Sequence, residues 1–257
     1  MPSSGFLAVA GQRLEYLRIT GTRAGPALIL LHEGLGCVAM WKEFPHALAR
    51  LTGLEVWAYS RAGYGASSAI ALPRPIDFHT AEALEVLPAF VAAAGIGEYV
   101  LVGHSDGASI ALIHAGAGTP QSLRALAVLA PHVFTETKCT DSIRVAVEAY
   151  EHGGLRERLI RYHGTNVDTA FFGWSGVWLD PRFAAWDLRA YLHGICVPIL
   201  ALRGSVDPYN SSKHLQIIAQ SARGHVAVRE LDGVGHAPHV EESATVLEQI
   251  AAQLEHL

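Results

Sequence analysis

Residues 99–107 read Tyr99-Val100-Leu101-Val102-Gly103-His104-Ser105-Asp106-Gly107, and the stretch behind them, Ala108–Ala115, has helical character. The first six residues form a near-continuous apolar run of strand length. Such a run, without polar alternation, suits a strand covered on both faces, as in a parallel sheet. The turn that follows has the pattern G-x-S-x-G at a strand-to-helix junction. Its two glycines permit a tight, strained turn that lifts a serine hydroxyl out at the strand's end. The following helix aims its first N–H groups at the same spot, which favours a developing oxyanion.

Five more runs of the same kind flank this one: Ala27–His32, Leu54–Ser60, Ala125–Ala130, Pro198–Arg203 and His225–Leu231. Between them, Leu84, Leu87, Val91 and Ala94 keep helical spacing, as do Val246, Leu247, Ile250 and Leu254. Strands alternating with helices predict an α/β fold with a mostly parallel, doubly wound sheet. Phe6–Val9 and Leu14–Ile19, separated by four residues, predict an antiparallel hairpin at the sheet's edge.

One interval is too long: about 65 residues separate the fourth of these six runs from the fifth, where a crossover needs far fewer. Residues 133–193 are rich in aromatics and include helical stretches at Ser142–His152 and Leu155–His163. They read as a helical cap inserted over the C-terminal edge of the sheet. The core is then residues 1–132 and 194–257. Most of these aromatics are expected to form the cap's own core. Trp174 and Trp178, four apart, share one face if their stretch is helical, and are expected to line a substrate pocket. Gly173 and Gly176 weaken that helix.

Half of the 257 residues are apolar, 17% are charged and the net charge is −5. Without a basic patch, neither a nucleic-acid partner nor a polyanionic substrate is expected. The start of the chain lacks the basic and apolar regions of a secretion signal, and no run reaches the ~18 apolar residues of a membrane span. A cytoplasmic location, away from membranes, is therefore expected. Cys37, Cys139 and Cys196 are odd in number and scattered, which suits free thiols. Cys37 reads as a structural thiol. The H-x-x-H spacing of His236 and His239 lacks a third ligand, and G-x-G at Gly34 lacks the rest of a dinucleotide fingerprint. No metal and no cofactor is expected.

A serine at such an elbow needs an acid and a histidine, in that order, at the ends of later strands. Gly204-Ser205-Val206-Asp207 follows one strand, and Asp232-Gly233-Val234-Gly235-His236 follows the last. His236 is the candidate base and Asp207 the candidate acid, with Asp232 as competitor. His236 takes the proton of Ser105 and returns it to the leaving group, while Asp207 holds the imidazole tautomer. The N–H of Asp106 supplies one oxyanion donor.

On these motifs the chain resembles the α/β-hydrolase superfamily over essentially its whole length. Its members usually read His-Gly-x-x-Gly after the first parallel strand, where this chain has His32-Glu33-Gly34-Leu35-Gly36. The resemblance makes Gly34 the second oxyanion donor. Arg61-Ala62-Gly63-Tyr64-Gly65-Ala66-Ser67 is similar to the family's Arg-Gly-x-Gly-x-Ser turn, with Ala62 in place of Gly. Glu33 also stands where Gly is usual. It has two readings: an ion pair with Arg61 that braces the loop, or a substrate-binding or proton-shuttling role.

The implied activity is a serine hydrolase acting on a carboxylic ester or lactone of a small, apolar or aromatic molecule. Hydrolysis of an amide, or of a carbon–carbon bond in a ring-cleavage product, uses the same triad in relatives and stays open. A ligand receptor that retains the triad is the reading from another class.

Overall fold

A computed structural model describes residues 2–118 and 120–255. Eight strands form one sheet: β1 (Pro2–Val9), β2 (Gln12–Ile19), β3 (Ala27–Leu31), β4 (Val56–Tyr59), β5 (Tyr99–His104), β6 (Leu123–Leu129), β7 (Ile199–Gly204) and β8 (Val226–Leu231). Their spatial order is β1-β2-β4-β3-β5-β6-β7-β8. β1 and β2 pair antiparallel, as the hairpin pattern predicts, and β2 joins β4 antiparallel. From β4 to β8 all pairings are parallel. The chain order reverses at β3, so the strands carrying the site motifs lie side by side, with C-terminal ends in one direction.

Alternation along the strands sorts the core into two layers. Ile29, Trp57, Leu101 and Val128 face one side with Phe90 and Ile110, while Leu28, Val56, Val100 and Leu200 face the other with Leu48 and Ile250. Flanking the sheet are α1 (Phe44–Thr52), then α2 (Phe78–Ala81) and α3 (Leu87–Ala93) joined by a π turn, α4 (Asp106–Gly116) and α11 (Ser243–Leu254). Burial on both faces explains the unbroken apolar runs. β8 departs from that expectation: as the outer strand it is partly exposed along its length.

Between β6 and β7 lie α5 (Thr137–His152), α6 (Leu155–His163), α7 (Val167–Trp178) and the short α8 (Arg189–Leu192). After β7 come α9 (Lys213–Ser221), α10 (Pro238–Glu241) and α11 (Ser243–Leu254). The inserted helices share a cluster of Ile143, Tyr150, Leu159, Phe171, Trp174 and Trp178. They also hold the sheet's loops: His163 Nε2 bonds Leu35 O at 2.9 Å, and Asn166 donates to Gly65 O and Ser67 O. α7 runs through Gly173 and Gly176 despite their cost. A Cβ on Gly173 would stand 3.1 Å from Arg74 Nε, so that glycine lets the loop side chain close on the helix. Among the described residues no helix is long and apolar enough to cross a membrane.

Candidate active site

β5 ends at His104, and Ser105 turns the chain into α4 with φ 52° and ψ −115°. A left-handed backbone at a serine is strained and persists only where its surroundings impose it. The flanking glycines show how. A Cβ on Gly107 would lie 2.0 Å from Leu31 O, and one on Gly103 would lie 2.5 Å from Gly107 O. The turn therefore packs backbone against backbone on β3. α4 begins at Asp106, whose N–H is among the first helix donors, which have no partner within the helix.

Two later loops meet this serine. His236 Nε2 lies 3.0 Å from Ser105 Oγ, and His236 Nδ1 lies 2.8 Å from Asp207 Oδ2. Asp207 follows β7 and is fully buried; its Oδ1 accepts the N–H groups of Tyr209 at 2.7 Å and Asn210 at 3.3 Å. Burial alone would raise its carboxyl, but the His236 hydrogen bond and field and the Tyr209 N–H bring it down to about 2. With an ionised acceptor at Nδ1, the neutral ring carries its proton there and leaves Nε2 free to accept from Ser105. Asp232 instead accepts from Ser205 Oγ at 3.2 Å, at an exposed site.

The expected Glu33–Arg61 ion pair does not form. Arg61, fully buried, donates to the backbone carbonyls of His32 at 2.5 Å and Glu33 at 2.8 Å. His32 completes this brace: its Nε2 accepts from Arg61 N–H at 3.0 Å, which leaves Nδ1 to donate to Glu33 O at 2.7 Å. The guanidinium is thus spent on main-chain acceptors: it pairs the buried His32 carbonyl and adds a donor to Glu33 O, which also accepts from Gly36 N–H. The Glu33 carboxylate turns to His104, with 3.4 Å between Oε2 and Nδ1. Burial pushes its carboxyl up, but the His104 hydrogen bond and field, together with the fields of His239 and His32, hold it well below the usual range.

His104 was visible in sequence only as the variable residue before the serine. Its Nε2 donates to the carbonyl of His236 at 2.7 Å, so it ties the His236 backbone to the loop at Glu33. Around Asp106 the candidate Trp178 is joined by His79, a residue without a sequence signal. Trp178 Nε1 donates to Asp106 Oδ1 at 3.1 Å, and His79 Nε2 lies 3.2 Å from the same oxygen. Here too burial raises the acid, and the field and contact of His79, with the fields of Arg61 and His132, together bring it down to about 2.

A cavity of about 90 Å³ opens beside Ser105 and His236, walled in part by Glu33, Gly34, Trp174 and Trp178. Trp174 lies against the glycine loop; a Cβ on Gly34 would stand 2.2 Å from its indole. Cys37 is buried, and burial raises its thiol to about 12. Among the described residues no group of three His, Cys, Asp or Glu side chains is placed to hold a metal ion.

Residues 26–193 match the model of the alpha/beta hydrolase fold family. No curated protein matches the sequence. Among solved structures, the chain is similar to a proline iminopeptidase of Mycobacterium smegmatis, with 20% identity, a TM-score of 0.74 and coverage of 99% of this chain and 98% of that one. It is similar to the enol-lactonase from Burkholderia xenovorans LB400, with 21% identity, a TM-score of 0.73 and coverage of 98% and 100%. A thermophilic esterase from Thermogutta terrifontis shares 18% identity, a TM-score of 0.74 and coverage of 99% and 98%. At these identities the likeness is one of fold.

Proposed function

The chain belongs to the alpha/beta hydrolase fold family, and from that premise we propose that it is a serine hydrolase that cleaves a small carboxylic ester or lactone through an acyl-enzyme. The observation that carries this reading is the unbroken hydrogen-bonded line Ser105–His236–Asp207, with distances of 3.0 and 2.8 Å.

In this mechanism Ser105 Oγ attacks the substrate carbonyl as its proton passes to His236 Nε2. The charge on the tetrahedral oxygen is met by the N–H groups of Asp106 and Gly34, and the ionised Asp207 stabilises the imidazolium. Collapse expels the alkoxide, which takes the proton from His236. A water then gives a proton to the same nitrogen, attacks the acyl-serine and releases the acid as Ser105 regains its hydrogen. No cofactor enters.

Residues 133–193 are the cap in this reading, and Trp174 and Trp178 shape the acyl or alcohol pocket. Its limited volume and aromatic walls suit a small apolar or aromatic group. Rates on a series of aryl esters, lactones and vinylogous β-diketones test the bond type. Turnover of esters or lactones above the diketones is expected; preference for the diketones would replace this reading with carbon–carbon hydrolysis.

A further inference from the structure

His132 lies in the loop after β6 and is 1% exposed. Everything around its ring is pinned. Ala130 N–H donates to Leu202 O at 2.7 Å, and Pro131 O accepts from Asn210 at 3.3 Å. His132 O accepts from Ser109 Oγ at 2.7 Å, and Val133 N–H donates to His214 Nδ1 at 3.1 Å. Ala130 itself takes a left-handed backbone, φ 48°, to make this bend. A rigid, hydrogen-bonded and strained loop thus delivers a polar ring. Its Nδ1 is buried without a hydrogen-bond partner among the described residues.

The ring packs edge-on to Trp178 with 5.1 Å between centroids, stands 6.0 Å from the His236 ring and forms part of the cavity wall beside Ser105. Burial, reinforced by His214 and His236, holds this imidazole well below its ordinary pKa, so it meets a ligand as a neutral donor or acceptor. A buried polar atom left unpaired is costly, and a substrate atom that pairs with it recovers that cost. The same wall contains Glu33 and Asp106, and among the described residues lining it none is Lys or Arg. A substrate carboxylate would meet like charges there.

We propose that His132 is a specificity residue that hydrogen-bonds an uncharged oxygen of the substrate, a hydroxyl or a carbonyl beyond the scissile one, and so selects oxygenated neutral acyl groups over plain alkyl and carboxylate-bearing ones. This rests on the serine-hydrolase reading above.

The test compares kcat/KM for the p-nitrophenyl esters of butyrate, 3-hydroxybutyrate and succinate. The wild-type chain should favour the hydroxy ester over butyrate on the order of tenfold, one hydrogen bond to a site built for it, with the succinate ester slowest. In His132→Phe, which keeps the ring's shape, the hydroxy-to-butyrate ratio should fall to within threefold of one; His132→Gln should keep part of it. Should the Phe variant not fold, the Gln variant and inhibition of the wild type by 3-hydroxybutanamide against butanamide decide in its place. A wild-type ratio near one, or a ratio unchanged in His132→Phe, overturns the proposal while leaving ester hydrolysis intact. Absence of any ester turnover, with Ser105 unmodified by a phosphonate, would overturn the parent reading instead.

Discussion

The indole N–H of Trp178 donates to Asp106 Oδ1 at 3.1 Å, so the last residue of α7 grips the residue next to Ser105. Both side chains are buried, and His79 is the other group at that oxygen. The inserted helices are thereby tied to the N–H group that we assign to the oxyanion hole.

Trp178→Phe keeps the aromatic wall and removes one donor from a buried carboxylate. It should destabilise the protein by about 1–3 kcal/mol, the cost of a lost hydrogen bond to a charged group. It should also lower kcat more than it raises KM, because the misplaced N–H matters most in the transition state. Chemical denaturation and steady-state kinetics on an ester check both; an unchanged kcat would remove the coupling.

Asp207→Asn should reduce kcat roughly 10⁴-fold, by analogy with a protease triad acid, because an amide facing Nδ1 favours the wrong tautomer. Asp232→Asn should stay within a few-fold of wild type, since its carboxylate accepts from Ser205 at an exposed site. The reverse ranking would make Asp232 the acid.

Because Arg61 bonds carbonyls rather than the Glu33 carboxylate, the two side chains should behave independently. Arg61→Met should cost about 1–3 kcal/mol by leaving the buried His32 carbonyl without its donor. Glu33→Gln should cost far less, and the double variant should be close to additive. A coupling energy of about 2 kcal/mol or more in this cycle would restore a direct ion pair.

Acid should unfold this protein early. His32, His79, His114, His132, His163, His214 and His239 are all held below their ordinary pKa, in each case chiefly by burial. Below about pH 6.5 the unfolded chain binds protons at these rings and the native chain does not. Stability therefore falls as pH falls, by up to about 1.4 kcal/mol per pH unit for each ring that stays neutral. Several such rings exhaust a typical ~5–15 kcal/mol within one or two pH units. Near-UV circular dichroism should show cooperative loss of structure as the pH falls below about 6.5. Native packing retained at pH 4 would contradict the account.

Much of this was legible in the sequence because it depends on local pattern. The strand Tyr99–His104 and the helix Leu155–His163 have the bounds their periodicity indicates. The elbow was readable because its glycines are demanded by close backbone approach, and the order of the loops at Asp207 and His236 follows from topology. The direction of the Glu33 carboxylate was not legible. It is set by His104, 71 residues away, and by Arg61 having backbone partners, neither of which leaves a periodic trace. The weakness assigned to the Trp174 helix failed for a related reason: packing of Arg74 against Gly173 overrides helix propensity. His79 and His132 were anonymous among 14 histidines until the fold gave them neighbours.

Ser105 is the nucleophile we propose. Its most direct test is intact-mass and peptide mass spectrometry after treatment with a p-nitrophenyl alkylphosphonate. One phosphonyl adduct per chain is expected, on the peptide containing Ser105, with matching loss of esterase activity and no adduct in Ser105→Ala. An adduct on a different serine, or full activity in Ser105→Ala, would contradict it.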